Sequence, residues 1–280
     1  MKSKKASILI FVMWALIILS LLSITVSYNS AADIKLAKYE SLGIKSLYLA
    51  KAGIAKMIIE LNKDKNNYDS LNEDWNKERE FILGGSKVIY RACDEGARLN
   101  LNSSNLNKEY LIRLGLDDDV CQGLLGYRIK KGEKGFEFME ELFLIDGMTR
   151  DIYLSIKDYM TIYRGLGSRV NINTADENIL KIVLGDDTLM INKIITYKEG
   201  NDGEICTEDD GIFTEDNFSF IFENFGVTPE AILNYQTLFD VSSGFFRILA
   251  DASFSEDKSQ MKSVTAIVDK LGKIYYWEEE

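Results

Sequence analysis

The sequence predicts an α+β protein: an N-terminal transmembrane helix that continues onto an antiparallel sheet, with an all-helical unit of two repeats set between the strands. Three observations carry this. Residues 7–28 are apolar or hydroxylated and carry no charge. Segments rich in β-branched and aromatic residues occur at 80–102 and again at 245–277. Between them a heptapeptide recurs, Arg98-Leu-Asn-Leu-Asn-Ser-Ser104 and Arg169-Val-Asn-Ile-Asn-Thr-Ala175, and an internal repeat fixes architecture before any single element does.

The uncharged run is long enough for a helix to cross a hydrocarbon core of roughly 30 Å. Lys2, Lys4 and Lys5 precede it and Asp33 is the first charge after it. Basic residues stay on the cytoplasmic side, so the bulk of the chain is expected outside. An ordinary secretory signal has an apolar core of about 7–15 residues ending in a small-residue cleavage site. This run is longer and no Ala-x-Ala site with a helix-breaking residue follows it.

From Ile34 to Leu61 apolar residues recur at helical spacing, at Leu47, Ala50, Ile54, Met57 or Ile58, and Leu61. Without a proline or turn before Asn62, this helix is expected to continue the membrane helix, although Gly43 and Gly53 each cost about 1 kcal/mol relative to alanine. The stripe is expected to pack on the sheet. Residues 62–76 read as a polar loop, 80–83 and 86–92 as a hairpin around Gly84-Gly85, Asp94-Glu95-Gly96 as a turn, and 98–102 as a further strand of the sheet.

Each copy of the repeat is followed by helical patterns: 108–114, 119–130, 136–144 and 150–159 in the first; 177–183, 188–198, 218–225 and a helix from Thr228-Pro229 in the second. Thr174-Ala-Asp-Glu177 reads as a capping box, and Thr228 as an N-cap before proline at the first helical position. Gly165-Leu-Gly167 reads as a hinge between the copies, since Val170 stands where a dinucleotide fingerprint needs its third glycine. After Asp240, segments 245–254, 261–269 and 273–277 form a three-strand meander with turns at Glu256-Asp257 and Leu271-Gly272. Three strands need a partner face, and the amphipathic helix supplies it.

The 280 residues carry a formal charge of −11 and no histidine. The missing histidine excludes Ser-His-Asp, Cys-His and His-zinc chemistry, and the charge disfavours a broad nucleic-acid surface. No enzymatic constellation emerges. Cys93, Cys121 and Cys206 allow one disulfide, with no pairing indicated. The densest polar feature is an acidic loop with Glu199, Asp202, Glu204, Glu208, Asp209 and Asp210. It reads as a solvated loop or, without EF-hand spacing, as a calcium site drawing on Glu199, Asp202, Glu204, Asp209 and Asp210.

These residues carry a resemblance. Lys4-Lys5-Ala6 followed by Ser-Ile-Leu-Ile-Phe11 resembles the leader of type IV pilins and pseudopilins. Ser46-Leu-Tyr-Leu-Ala-Lys-Ala-Gly-Ile-Ala55, Asp94-Glu95-Gly96 and the doubled Asn-Leu/Ile-Asn motif are similar to the type II secretion minor pseudopilin K family (general secretion pathway protein K). The resemblance implies a pilin-like frame: leader 1–6, transmembrane helix 7–29, helix and first strands 30–102, inserted helical domain 103–239 (repeats 98–164 and 169–239, helix-hairpin-helix or SAM-like), and closing strands 240–280. It implies a tip subunit of a periplasmic pseudopilus in protein secretion across the outer membrane. The chain would be anchored in the inner membrane with its N-terminus cytoplasmic, and its partners would be two other minor pseudopilins. Prepilin peptidase would cut between Ala6 and Ser7, with methylation of the new N-terminus; Ala6 departs from the commoner glycine there. Some members bind calcium. Phe11, fifth after the cut, replaces a usual glutamate that pairs with a neighbour's N-terminal amine, as a subunit with nothing above it allows. The repeats also resemble helix-hairpin-helix DNA-binding modules, which makes DNA uptake the alternative. The second repeat has too few cations, Arg169, Lys181, Lys193 and Lys198, for phosphate binding.

Overall fold

The computed structural model describes residues 3–163, 168–254 and 261–280, with side chains from Ile8 onward. Its first element is one continuous helix, α1, Ser3–Lys63, about 90 Å long at 1.5 Å per residue. The apolar part stands free of the body: Ile8–Tyr28 are exposed save half-buried Ala15. Further along, Ala50, Ile54, Met57 and Leu61 are all at most 1% exposed, and each such aliphatic burial is worth about 1.5–3 kcal/mol for the larger side chains.

What they bury against is a five-stranded antiparallel sheet. Strands β1 (Arg79–Leu83) and β2 (Ser86–Asp94) form the hairpin turning at Gly84 and Gly85, both at positive φ. The sheet continues through three strands from the far end of the chain. The strand alternation is strict: Val88, Tyr90 and Ala92 face α1, while Lys87 and Arg91 face away. Gly53 marks the closest approach of helix to sheet, where an added Cβ would stand 3.0 Å from the Ala250 Cβ and 3.2 Å from Val88. That contact explains the glycine that propensity alone penalises.

The segment 98–102 does not join the sheet. Within it Leu99–Asn100 forms a strand, β3, which pairs in parallel with Met160–Thr161 (β4). Between them lie α2 (Lys108–Arg113), α3 (Asp118–Lys131), a 3-10 helix at Met139–Leu144 where an α-helix was expected, and α4 (Arg150–Ile156), extended by a 3-10 turn to Tyr159. The second repeat has the same closure: β5 (Val170–Asn171) pairs in parallel with β6 (Phe239–Asp240) around α5 (Glu177–Leu184), α6 (Thr188–Glu199), α7 (Phe218–Asn224) and α8 (Pro229–Leu238). The repeats are therefore helical bundles each closed by a two-residue bridge, which periodicity cannot reveal. The proposed hinge 165–167 and the turn at Glu256-Asp257 lie outside the described residues.

After β6 come β7 (Phe245–Ser253), β8 (Lys262–Asp269) and β9 (Ile274–Glu279), giving the order β1-β2-β7-β8-β9. The helical unit is thus inserted between neighbouring strands β2 and β7. Buried apolar side chains form two separate clusters, one between α1 and the sheet and one running through both repeats.

The capping box at Thr174 is not formed. Asp176 caps α5, accepting from the Ile179 N–H at 2.8 Å, and the Thr174 hydroxyl is committed elsewhere. Thr228 likewise makes no side-chain cap, although Pro229 opens α8. All three cysteines are free.

Candidate functional site

The doubled motif is a pair of internal clamps. In each copy the first asparagine oxygen accepts the N–H two residues on, Asn100 from Asn102 at 2.9 Å and Asn171 from Asn173 at 3.1 Å. The second asparagine then ties two distant strands of chain. Asn102 accepts from Phe136 N–H (2.6 Å) and donates to the Phe136 and Ile162 carbonyls. Asn173 accepts from Phe213 N–H (2.8 Å) and donates to Phe213 and Val241. Only a side-chain amide offers donor and acceptor together in this way.

The acidic loop occupies residues 200–212, between α6 and Phe213. The equivalent stretch of the first repeat, between α3 and Phe136, is only 132–135. Three of the five residues expected to bind calcium converge: carboxylate oxygens of Asp202, Asp209 and Asp210 lie within 4.8 Å of one another. Glu199 ends α6, and exposed Glu204 lies outside this group. Asp209 accepts from the Asn201 N–H at 2.6 Å, which with the Thr207 hydroxyl holds its carboxyl below the usual range. Asp210 accepts from Thr207 Oγ1 and from the Cys206 N–H, Cys206 standing at φ 71°. The loop also leans on the segment after α1, where Asn72 Nδ2 donates to the Thr207 carbonyl at 2.9 Å. Beneath it Lys198 is buried and donates to the Ala175 carbonyl; burial pushes its ammonium down to about 8, against the nearby Asp176, Glu199 and Asp210.

A second constellation, which the fold alone assembles, lies between the two apolar clusters. Asp94 closes β2 and accepts from Gly96 N–H (2.6 Å), Asn171 Nδ2 (2.8 Å) and Thr174 Oγ1 (2.6 Å). Burial pushes its carboxyl above the usual range, against these hydrogen bonds. Glu95, also buried, meets Arg247 Nε at 2.7 Å and Thr161 Oγ1 at 2.5 Å. Asp69 accepts the Ser243 N–H and pairs with Lys270 Nζ at 2.7 Å. Every acid is partnered, and the cluster joins the sheet to the helical unit. Asp94, Glu95 and the asparagines were conspicuous in the sequence; Asp69, Thr161, Arg247 and Lys270 carried no signal, because their partners come from 66 to 206 residues away.

The hairpins α2–α3 and α5–α6 turn at Gly115 and Gly185, both at positive φ. Their second helices begin with Asp117-Asp118-Asp119 and Asp186-Asp187, and Asp187 caps α6 through the Met190 N–H. Acids stand where a phosphate would have to bind. At the other end of the molecule Phe11 is 75% exposed on α1. Ala6 and Ser7 lie within α1, their side chains outside the described set.

Fold and site together define an architecture in which a helix long and apolar enough to cross a membrane packs near its far end on an antiparallel sheet that carries an inserted helical unit. The sequence matches no protein-family model, and no curated protein matches it by sequence. Among solved structures the chain is similar to a chain of the GspK–GspI–GspJ complex from the type 2 secretion system of enterotoxigenic Escherichia coli, with a TM-score of 0.59 and 15% identity over 88% of this chain and 98% of that one. At that identity the likeness shows the fold.

Proposed function

We propose that this chain is a minor pseudopilin of the K type, seated at the tip of a type II secretion pseudopilus that moves proteins across the outer membrane. The observation that carries this reading is the insertion of a two-repeat helical unit between β2 and β7 of a helix-on-sheet frame, shared in fold with a chain from a complex of three secretion-system proteins. The inserted unit makes the body too bulky for a filament shaft. Phe11 offers no carboxylate to the amine of a subunit above it, and an unpaired intramembrane charge costs about 2.5–3.5 kcal/mol on insertion scales. Prepilin peptidase cuts between Ala6 and Ser7, the anchor stays in the inner membrane with its N-terminus cytoplasmic, and the partners are other minor pseudopilins. Acids at both hairpins speak against the DNA-uptake alternative.

Crosslinking from cysteines engineered near Phe11, in cells with the whole secretion system, tests the placement. A tip subunit crosslinks to other minor subunits on one side only. Repeated self-crosslinks along assembled filaments overturn it. Mass spectrometry of the mature N-terminus tests the cut: a chain beginning at methylated Ser7 is expected, whereas one beginning near Ser30 means an ordinary signal peptide.

A further inference from the structure

The face of α1 turned away from the sheet carries a second pattern. Tyr48 stands about 200° around the helix from Ala50, which is fully buried against the sheet. Stepping by alternate threes and fours from Tyr48 toward the N-terminus gives Ile44, Ser41, Ala37, Ile34, Ser30, Ser27, Ser23 and Ser20, the a and d positions of a heptad frame. Every serine between Ile8 and Lys45 falls on this seam, and all nine residues are exposed, Ile34 at 69%, Ile44 at 58% and Tyr48 at 66%.

The flanks add an independent observation. Asp33 and Glu40 occupy g positions, Lys38 and Lys45 occupy e positions, and among the described residues none of the four makes an ion pair within the chain. In a parallel pair of helices a g residue faces the e residue five places on in its partner. Asp33 then faces Lys38 of the second helix and Glu40 faces its Lys45, in both directions. An antiparallel pair brings acid against acid and lysine against lysine.

We propose that this face pairs α1 with α1 of a second copy of the chain, in parallel, while the chain waits in the membrane before assembly. Two copies inserted the same way are parallel already. The serines at 20, 23, 27 and 30 let the backbones approach closely in lipid, where packing rather than hydrophobicity drives association. The pairing ends at Tyr48, because at Lys51, the next seam position, α1 is tied to Glu279 of β9 at 2.7 Å. The pairing extends the pseudopilin reading, and its test runs without any other secretion protein, so the two stand or fall separately.

The experiment uses the full chain, expressed alone in bacterial membranes, with Cys93 and Cys206 changed to Ser and Cys121 to Ala. Oxidation is expected to give disulfide-linked dimer from Ser30→Cys and Ser41→Cys and little from Ala32→Cys, which lies off the seam. In the Ser41→Cys chain, Glu40→Lys is expected to cut the dimer by about threefold to tenfold, and adding Lys45→Glu to restore it. Near-equal crosslinking at positions 30, 32 and 41, no dimer from any of them, or failure of the charge swap to restore it overturns the proposal. Retained expression and monomeric recovery of each variant separate lost pairing from lost folding.

Discussion

Thr174 and Asp94 are 80 residues apart in the chain, yet the Thr174 hydroxyl donates to the Asp94 carboxylate at 2.6 Å in a buried site. This bond joins the second helical repeat to the last residue of β2, and Asn171 Nδ2 reaches the same oxygen. A carboxylate with that many donors stays satisfied in the interior; removing it orphans the Thr174 hydroxyl and leaves Gly96 N–H only Ser243 Oγ and Asn171 Nδ2 only the Asp69 carbonyl.

Asp94→Ala is therefore expected to cost about 2–4 kcal/mol of stability, and Thr174→Ala about 1 kcal/mol. Urea unfolding of residues 30–280 measures both. Wild-type stability in Asp94→Ala would remove the joint from the account.

Asn102 and Asn173 are expected to behave alike, each costing about 2–3 kcal/mol on change to Ala, because each leaves buried backbone groups of Phe136 or Phe213 without a partner. Exposed Asn201→Ala serves as the reference. If only one clamp matters, the two repeats are not equivalent supports.

The convergence of Asp202, Asp209 and Asp210 motivates a calcium experiment. A cation that binds only the folded chain raises its melting temperature. Millimolar calcium is expected to do so relative to chelator, and Asp209→Asn with Asp210→Asn to abolish the rise. No shift in the wild-type chain discards calcium here.

Glu141 supplies a pH signature. Burial raises its carboxyl, but Lys131, the N–H groups of Glu137 and Phe138, and the Tyr127 hydroxyl outweigh burial and hold it at about 2, below the ordinary 4.5. A depressed folded pKa gives stability that is complete above the unfolded value and is lost as pH falls through the folded one. The chain should lose this contribution between about pH 4.5 and pH 2, and Glu141→Gln should flatten that part of the stability profile. An identical acid limb in the variant contradicts the assignment.

Local patterns settled much of this molecule. The uncharged run, the stripe Ala50-Ile54-Met57-Leu61 and the hairpin glycines each act within a few residues, so composition and period were enough to read α1, the β1–β2 hairpin and the three late strands. The repeat was legible because two copies share one spacing. What the asparagines do with that spacing was not. Their partners Phe136, Ile162, Phe213 and Val241 are fixed only when each bundle closes. For the same reason Thr174 looked like a helix cap: its neighbours in sequence favour one, and a buried carboxylate brought to it by the fold offers a stronger bond. Leu99–Asn100 looked like part of the sheet because alternation does not say which strand a segment pairs with. Composition and period placed the long helix, the main strands and most of the bundle helices, with a helix apolar enough to cross a membrane leading into them. The tertiary structure alone decided which strands are neighbours and which polar groups meet, because those pairings depend on burial across tens of residues rather than on local propensity.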